Sequence, residues 1–157
     1  MAIGRVLGVV MLMLVQLPAS VTAQSVTQTL SLTYEGARSA AEAAEAEARS
    51  NGWNVTIVVV DRAGVPLYVK RMEGASAPTF EIALGKARTS AAFGQPSRVF
   101  AERAGQGAPS LPGVLPLEGA VPITVDGEVV GAIGTSGVQP GQDAQVSRAG
   151  AEAVSRP

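Results

Sequence analysis

Apolar positions along this chain gather into two pairs of short runs, set between Ala-rich stretches of helical character. In LEGAVPITVDGEVVGAIGTSGVQPGQD, from Leu117 to Asp143, two such runs meet at Asp126-Gly127. An Asp-Gly pair between apolar runs is the strongest short-range hairpin signal, because the tight two-residue turn needs a positive φ that both residues tolerate. The spacing predicts another hairpin upstream, with a strand over Asn54–Asp61, a turn at Arg62-Ala63-Gly64 and a return strand over Val65–Met72. Helices are predicted over Ser31–Gly52, with Ser31 or Thr33 as N-cap and Gly52 as stop, and from Pro78 to Phe93. A short helix over Ser97–Ala104 and a C-terminal helix over Gln142–Ser155 complete the pattern.

Helix, hairpin, helix, loop, hairpin, helix describes an α+β domain with an antiparallel sheet and helices packed against it. Two features go beyond this frame. Gly131, Gly134 and Gly137 weaken the last strand unless another backbone, a bulge or a ligand comes close there. The Gly/Pro-rich stretch from Gly105 to Pro116 is long enough to serve as a mobile cover or a ligand-contacting segment.

The first residues, MAIGRVLGVVMLMLVQLPASVTA, carry one cation at Arg5, an apolar run, a break at Pro18 and a small-residue cleavage signal at Val21-Thr22-Ala23. Residues 1–23 read as a secretory signal peptide, because an apolar run of about ten residues falls short of the roughly 20 that span a bilayer. Removing those 23 of 157 residues leaves residues 24–157 as a single domain, with no membrane span and a periplasmic or secreted location. The leader holds Arg5 and no acid, so its loss takes the net charge from −1 to −2. A weakly acidic chain without a basic run makes nucleic acid an unsuitable partner. Cysteine and histidine are both absent. That excludes Cys/His zinc sites, Ser-His-Asp and Cys-His triads, and covalent c-type haem attachment; no metal site is predicted.

What remains for chemistry is a short set of residues. Asp61 ends a strand before Gly64 and either caps the turn or meets a ligand. Arg71, at a strand exit, either binds a ligand carboxylate in a fork or pairs with Glu73, Glu81 or Glu118. Lys86 falls mid-helix on the face of Ile82, where it snorkels, pairs, or shifts toward neutrality and acts as a base or imine-forming amine. Met72 is the only methionine beyond the leader; it fills core or offers a thioether to haem iron. Thr135 and Ser136, between Gly134 and Gly137, offer hydroxyls and N–H groups to an anion or satisfy their own loop. Glu42, Glu45 and Glu47 read as a solvated helix face, whose Ala-rich side packs against a sheet or a neighbouring subunit.

Three ordered motifs carry a resemblance. Asp61, Gly64 and Arg71-Met72-Glu73-Gly74-Ala75 resemble a strand, turn and strand ending in Arg-Met-Asp-Gly-Ala. Ile82, Ala83, Lys86, Ala87 and Thr89 resemble Ile-Ala-x-x-Lys-Ala-x-Thr. Gly119, Val121-Pro122-Ile123 and Gly131 to Gly137 resemble Gly-Gly-x-Pro-Ile followed by Gly-Ala-Ile-Gly-x-Ser-Gly, with Ala120 in place of the second Gly. Over residues 26–155 the chain thus resembles the GlcG/HbpS family of haem-binding proteins, also seen as the C-terminal domain of PduO-type proteins. The resemblance implies a profilin-like antiparallel sheet flanked by helices and a tetrameric or octameric homo-oligomer. It also implies a small-molecule ligand, haem or another tetrapyrrole, bound without histidine through Met72, Tyr34, Tyr68, a Lys, or a weak hydroxyl or water ligand. The ligand-binding set expected from it is Arg71, Met72, Lys86, Gly119, Gly134, Thr135 and Ser136. Two other readings stay open. One is an enzyme acting on a small carboxylate or hydroxy-carbonyl compound, with Arg71 as anchor and Lys86, Glu118 or Glu73 moving a proton under the Gly105–Pro116 loop. The other is an accessory subunit of a periplasmic oxidoreductase.

Overall fold

A computed structural model describes residues 29–155, so the leader reading lies outside the described residues. Its elements run α1 (Tyr34–Ser50), β1 (Thr56–Asp61), β2 (Pro66–Arg71), α2 (Thr79–Phe93), α3 (Arg98–Gly105), β3 (Ala120–Val125), β4 (Glu128–Ser136) and α4 (Pro140–Glu152). Both predicted hairpins form. Asp126 (φ 51°) and Gly127 (φ 77°) both take the positive φ that the tight turn demands. At the β1–β2 turn the Gly64 N–H donates to the Asp61 carbonyl, and the Asp61 carboxylate accepts the Val65 N–H at 2.9 Å. Asp61 is therefore a turn cap.

The two hairpins join through their inner strands into one antiparallel sheet of order β2-β1-β4-β3. Helices α1 and α4 cover one face and α2 the other. This sandwiching explains why β1 reads as an unbroken apolar run: Ile57 and Val59 join the core under α1 and α4, while Val58 and Val60 join the core under α2. A strand buried on both faces has no polar side to alternate with. The α+β class and the helix-flanked antiparallel sheet expected from the sequence are both present.

Small residues set the layer spacing. Ala37, Ala40, Ala41, Ala44 and Ala48 form the inner stripe of α1, all within 1% of complete burial. A side chain at Gly150 of α4 would meet the Ala40 carbonyl oxygen at 2.6 Å, so the two helices touch through their backbones. The Ala stripe is consumed inside the chain and is not open to a neighbouring subunit. One acid of α1 also departs from the solvated reading. The Glu45 side chain is only 15% exposed and binds Lys70 of β2 at 2.9 Å and Arg49 at 2.6 Å. These partners, the Lys70 hydrogen bond foremost, hold its carboxyl below the ordinary 4.5.

Among the described residues, no helix is long and apolar enough to cross a membrane.

Candidate functional site

Gly134 of β4 brings α2 onto the sheet, and Gly131 and Gly137 let other backbone come close. A Cβ on Gly134 would press into the Ala83 carbonyl and lie 2.8 Å from the Ala87 nitrogen, and one on Gly137 would lie 2.6 Å from the Asn54 carbonyl oxygen. One on Gly131 would collide with the Val60 carbonyl. Of the causes that strand glycines admit, close backbone approach is the one that operates here.

With α2 drawn in, Lys86 passes the start of β3 and reaches the opposite layer. Its ammonium donates to the Thr135 carbonyl at 3.0 Å and to the Asp143 carboxylate at 2.8 Å. Gly119 makes the passage: at φ 136° its missing Cβ would sit 2.6 Å from the Lys86 nitrogen and 2.9 Å from the Thr135 carbonyl oxygen. The second carboxylate oxygen of Asp143 accepts the Val138 N–H at 3.1 Å. Ser147 of α4 donates its only hydroxyl proton to the Gly119 carbonyl, so Thr135 is the donor in the 2.8 Å Thr135–Ser147 bond. Burial pushes the Asp143 carboxyl above its ordinary 3.8, against the pull of the Lys86 bonds.

Lys86, Gly119 and Thr135 meet in one hydrogen-bonded network with Asp143 and Ser147, and Gly134 lies under α2 against Ala83 and Ala87. Lys86 is 3% exposed and Thr135 is fully buried. Among the described residues no buried side-chain nitrogen or oxygen lacks a partner. Within one chain the Lys86 ammonium is engaged by the Thr135 carbonyl and the Asp143 carboxylate. The partner of Lys86 is Asp143 in the first turn of α4, 57 positions along the chain.

The Arg71 end of β2 is separate. Arg71 is exposed, and its guanidinium donates twice to the Ala75 carbonyl, at 3.0 and 2.6 Å, with no partner among Glu73, Glu81 and Glu118. It thereby closes its own loop. Met72 is 5% exposed, packs in the core with Ile57 and Val59, and contributes to the lining of an open hollow with Asn54, Glu73 and Gly74. Ser136 is buried opposite Thr56 in the sheet register. Glu118 is half-buried beside the Gly119 passage.

Concave surface lies beside Met72 and Gly74, between the start of α1 and the end of α4, and where the Gly105–Pro116 loop folds back over α2 and α3. The Leu115 N–H donates to the Thr89 hydroxyl at 2.9 Å and pins this loop to α2. On one side of it Phe100, Leu111 and Val114 line an apolar cleft. On the other, a groove of about 380 Å³ is lined by Arg62, Gly64, Arg88, Phe93, Pro112 and Val114. Arg88 donates its Nε–H to the Gly64 carbonyl at 3.1 Å, leaving its terminal amino groups free of carboxylates. Reasoning from the sequence missed this groove, because its residues are spread over 53 positions and no motif marks them.

The family model described as "Haem degrading protein HbpS-like" matches residues 32–152. This chain belongs to the HbpS-like family. Protein GlcG of Escherichia coli K12 is 35% identical over 97 residues, covering 60% of this chain and 72% of GlcG. Among solved structures, HbpS is 37% identical with a TM-score of 0.80, covering 85% of this chain and 97% of that one. A double mutant of Streptomyces reticuli HbpS is 34% identical with a TM-score of 0.79, covering 90% and 99%. The GlcG/HbpS resemblance seen in the three sequence motifs is thus established, and the antiparallel sheet flanked by helices is the family fold.

Proposed function

We propose that this HbpS-like chain is an extracytoplasmic, homo-oligomeric protein that binds haem. The observation that carries this reading is the match to the haem-degrading HbpS-like model across nearly all of the described residues. The extracytoplasmic part rests on the leader sequence, and the tetramer or octamer on the habit of the family.

The side chains fit the porphyrin better than they fit the iron. The chain contains no His or Cys, Met72 is buried and Lys86 is committed to Asp143. Available oxygen donors are weak ones, such as the exposed phenol of Tyr34. Apolar surface and free guanidinium groups are present together in the Arg62–Arg88 groove, which suits a flat apolar molecule bearing acids. When bound, the haem would supply redox chemistry; the chain supplies a seat and an anion anchor.

Titrating the purified protein with hemin tests the reading. Saturable growth of a shifted Soret band at about one haem per chain is expected for a specific site, and the absence of any specific shift overturns it. Intact mass of protein recovered from the periplasm should show cleavage after Ala23, and light scattering should give a tetramer or octamer. An enzymatic role through Lys86 would first require breaking its bonds to Thr135 and Asp143.

A further inference from the structure

Four arginines among the described residues have carboxylate or carbonyl partners outside the β1–β2 turn. Arg38 pairs with Glu35 and Glu42, Arg49 with Glu45 and Arg98 with Glu102, while Arg71 is bound to a carbonyl. Arg62, Arg88, Arg103 and Arg148, like Arg71, have no carboxylate within 4.0 Å among the described residues; of these, Arg62 and Arg88 line one groove together. Two guanidinium groups without carboxylates on one groove favour an anion there.

The groove is built as well as charged. Gly64, at φ 78°, lets the β1–β2 turn close against Arg88; a Cβ there would lie 3.3 Å from the Arg88 Cγ. The Arg88 Nε–H bond to the Gly64 carbonyl restrains the guanidinium at the groove wall. Phe93 lies 46% exposed on the wall, yet its ring is backed by Phe100 at 4.6 Å between centroids. An aromatic held from behind with its other side open is a platform for a planar apolar body. Pro112 and Val114 extend the apolar wall from the loop.

We infer that Arg62 and Arg88 form a carboxylate clamp at the mouth of the Phe93 groove, so that this chain recognises a tetrapyrrole by its acid side arms and not by its iron. The inference rests on the haem reading above and gives it a location and a basis for selectivity. Its chemical consequence is metal independence. With no His or Cys to hold iron and Met72 buried, removing the metal leaves the main recognition in place, whereas esterifying the acids removes it.

The test compares three probes, hemin, protoporphyrin IX and hemin dimethyl ester, on the wild-type chain, Arg62→Gln, Arg88→Gln and the double variant. Hemin and protoporphyrin IX should bind the wild type within about threefold of each other, with each single variant losing about tenfold and the double about 100-fold for both probes. The dimethyl ester should bind the wild type as weakly as hemin binds the double variant. Arg148→Gln, on α4 across the sheet, should change nothing. Arg62 lies in an exposed turn, so its variant reports on the clamp even if Arg88→Gln perturbs the Gly64 contact; melting temperatures identify that case. Hemin binding that survives unchanged in the double variant, or hemin binding without protoporphyrin binding, overturns the clamp and leaves the haem reading standing. A wild type that binds neither porphyrin overturns both.

Discussion

Lys86 and Arg88 stand two residues apart on α2, and the fold puts them to opposite uses. The lysine is 3% exposed with a carboxylate at 2.8 Å; the arginine is exposed with none within 4.0 Å among the described residues. Two residues along an α-helix turn its face by about 200°. One side chain therefore enters the seam between the layers, while the other meets the β1–β2 turn and the loop. The difference shows that a cation in a family motif is no guide to its use until the helix face it occupies is known. Lys86 ties α2 to α4 through the gap beside Gly119, and Arg88 is left to meet what comes from outside.

The comparison breaks most sharply at the ion pair. Lys86→Met strands the Asp143 carboxylate in the interior and should cost about 3–5 kcal/mol in urea unfolding at pH 7. Lys86→Met with Asp143→Leu removes both charges and should recover most of that loss; a single variant within about 1 kcal/mol of wild type would show that the pair is not structural. The pH dependence has a definite sign. Because the Asp143 carboxyl lies above 3.8 in the folded chain, the folded state holds its proton through the window above that value, and its share of stability declines as pH rises there. Without Lys86 that window reaches to higher pH, so the deficit of Lys86→Met should shrink on acidification.

Lifting α2 from the sheet perturbs both regions through one residue. Gly134→Ala drives a methyl into the Ala83 carbonyl and should destabilise by about 2–3 kcal/mol, measured by chemical denaturation. An unchanged midpoint would mean that the helix does not depend on that approach.

Glu45 lies between the two extremes of exposure. Glu45→Gln should cost about 1 kcal/mol at neutral pH, since one charged acceptor of Lys70 and Arg49 is lost. Its carboxyl is held below 4.5, so the wild-type advantage is complete above that value and disappears as pH falls through the folded-state pKa. A difference that persists in strong acid would assign the effect to packing. Smallest of all, Arg62→Gln should change stability by less than about 0.5 kcal/mol while weakening porphyrin binding, which separates the groove from the framework.

Local sequence signals were sufficient for the elements themselves. Thr33 caps α1 as predicted, accepting the Gly36 N–H at 3.1 Å, and Asp126-Gly127 makes the β3–β4 turn. Element ends fall within three residues of their expected places, because caps, turns and apolar periods act over a few neighbouring positions. The family motifs were legible for the same reason: each is a short string with its own backbone task. Gly134 and Gly119 are where two layers nearly touch, and Asp61 closes a turn.

The fate of the functional groups was settled only by the packing of distant segments. Lys86 and Asp143 are 57 positions apart, and Arg88 and the Gly64 carbonyl 24 apart. Neither distance shows in a local pattern, since a side chain's partner depends on which faces the sheet brings together. Sequence alone therefore established an α+β chain of known family, without histidine or cysteine, and singled out Arg71 and Lys86. Tertiary structure set Lys86 between the layers and brought Arg62 and Arg88, which no motif marks, to one open groove, because burial and charge pairing are properties of the assembled layers and not of the string.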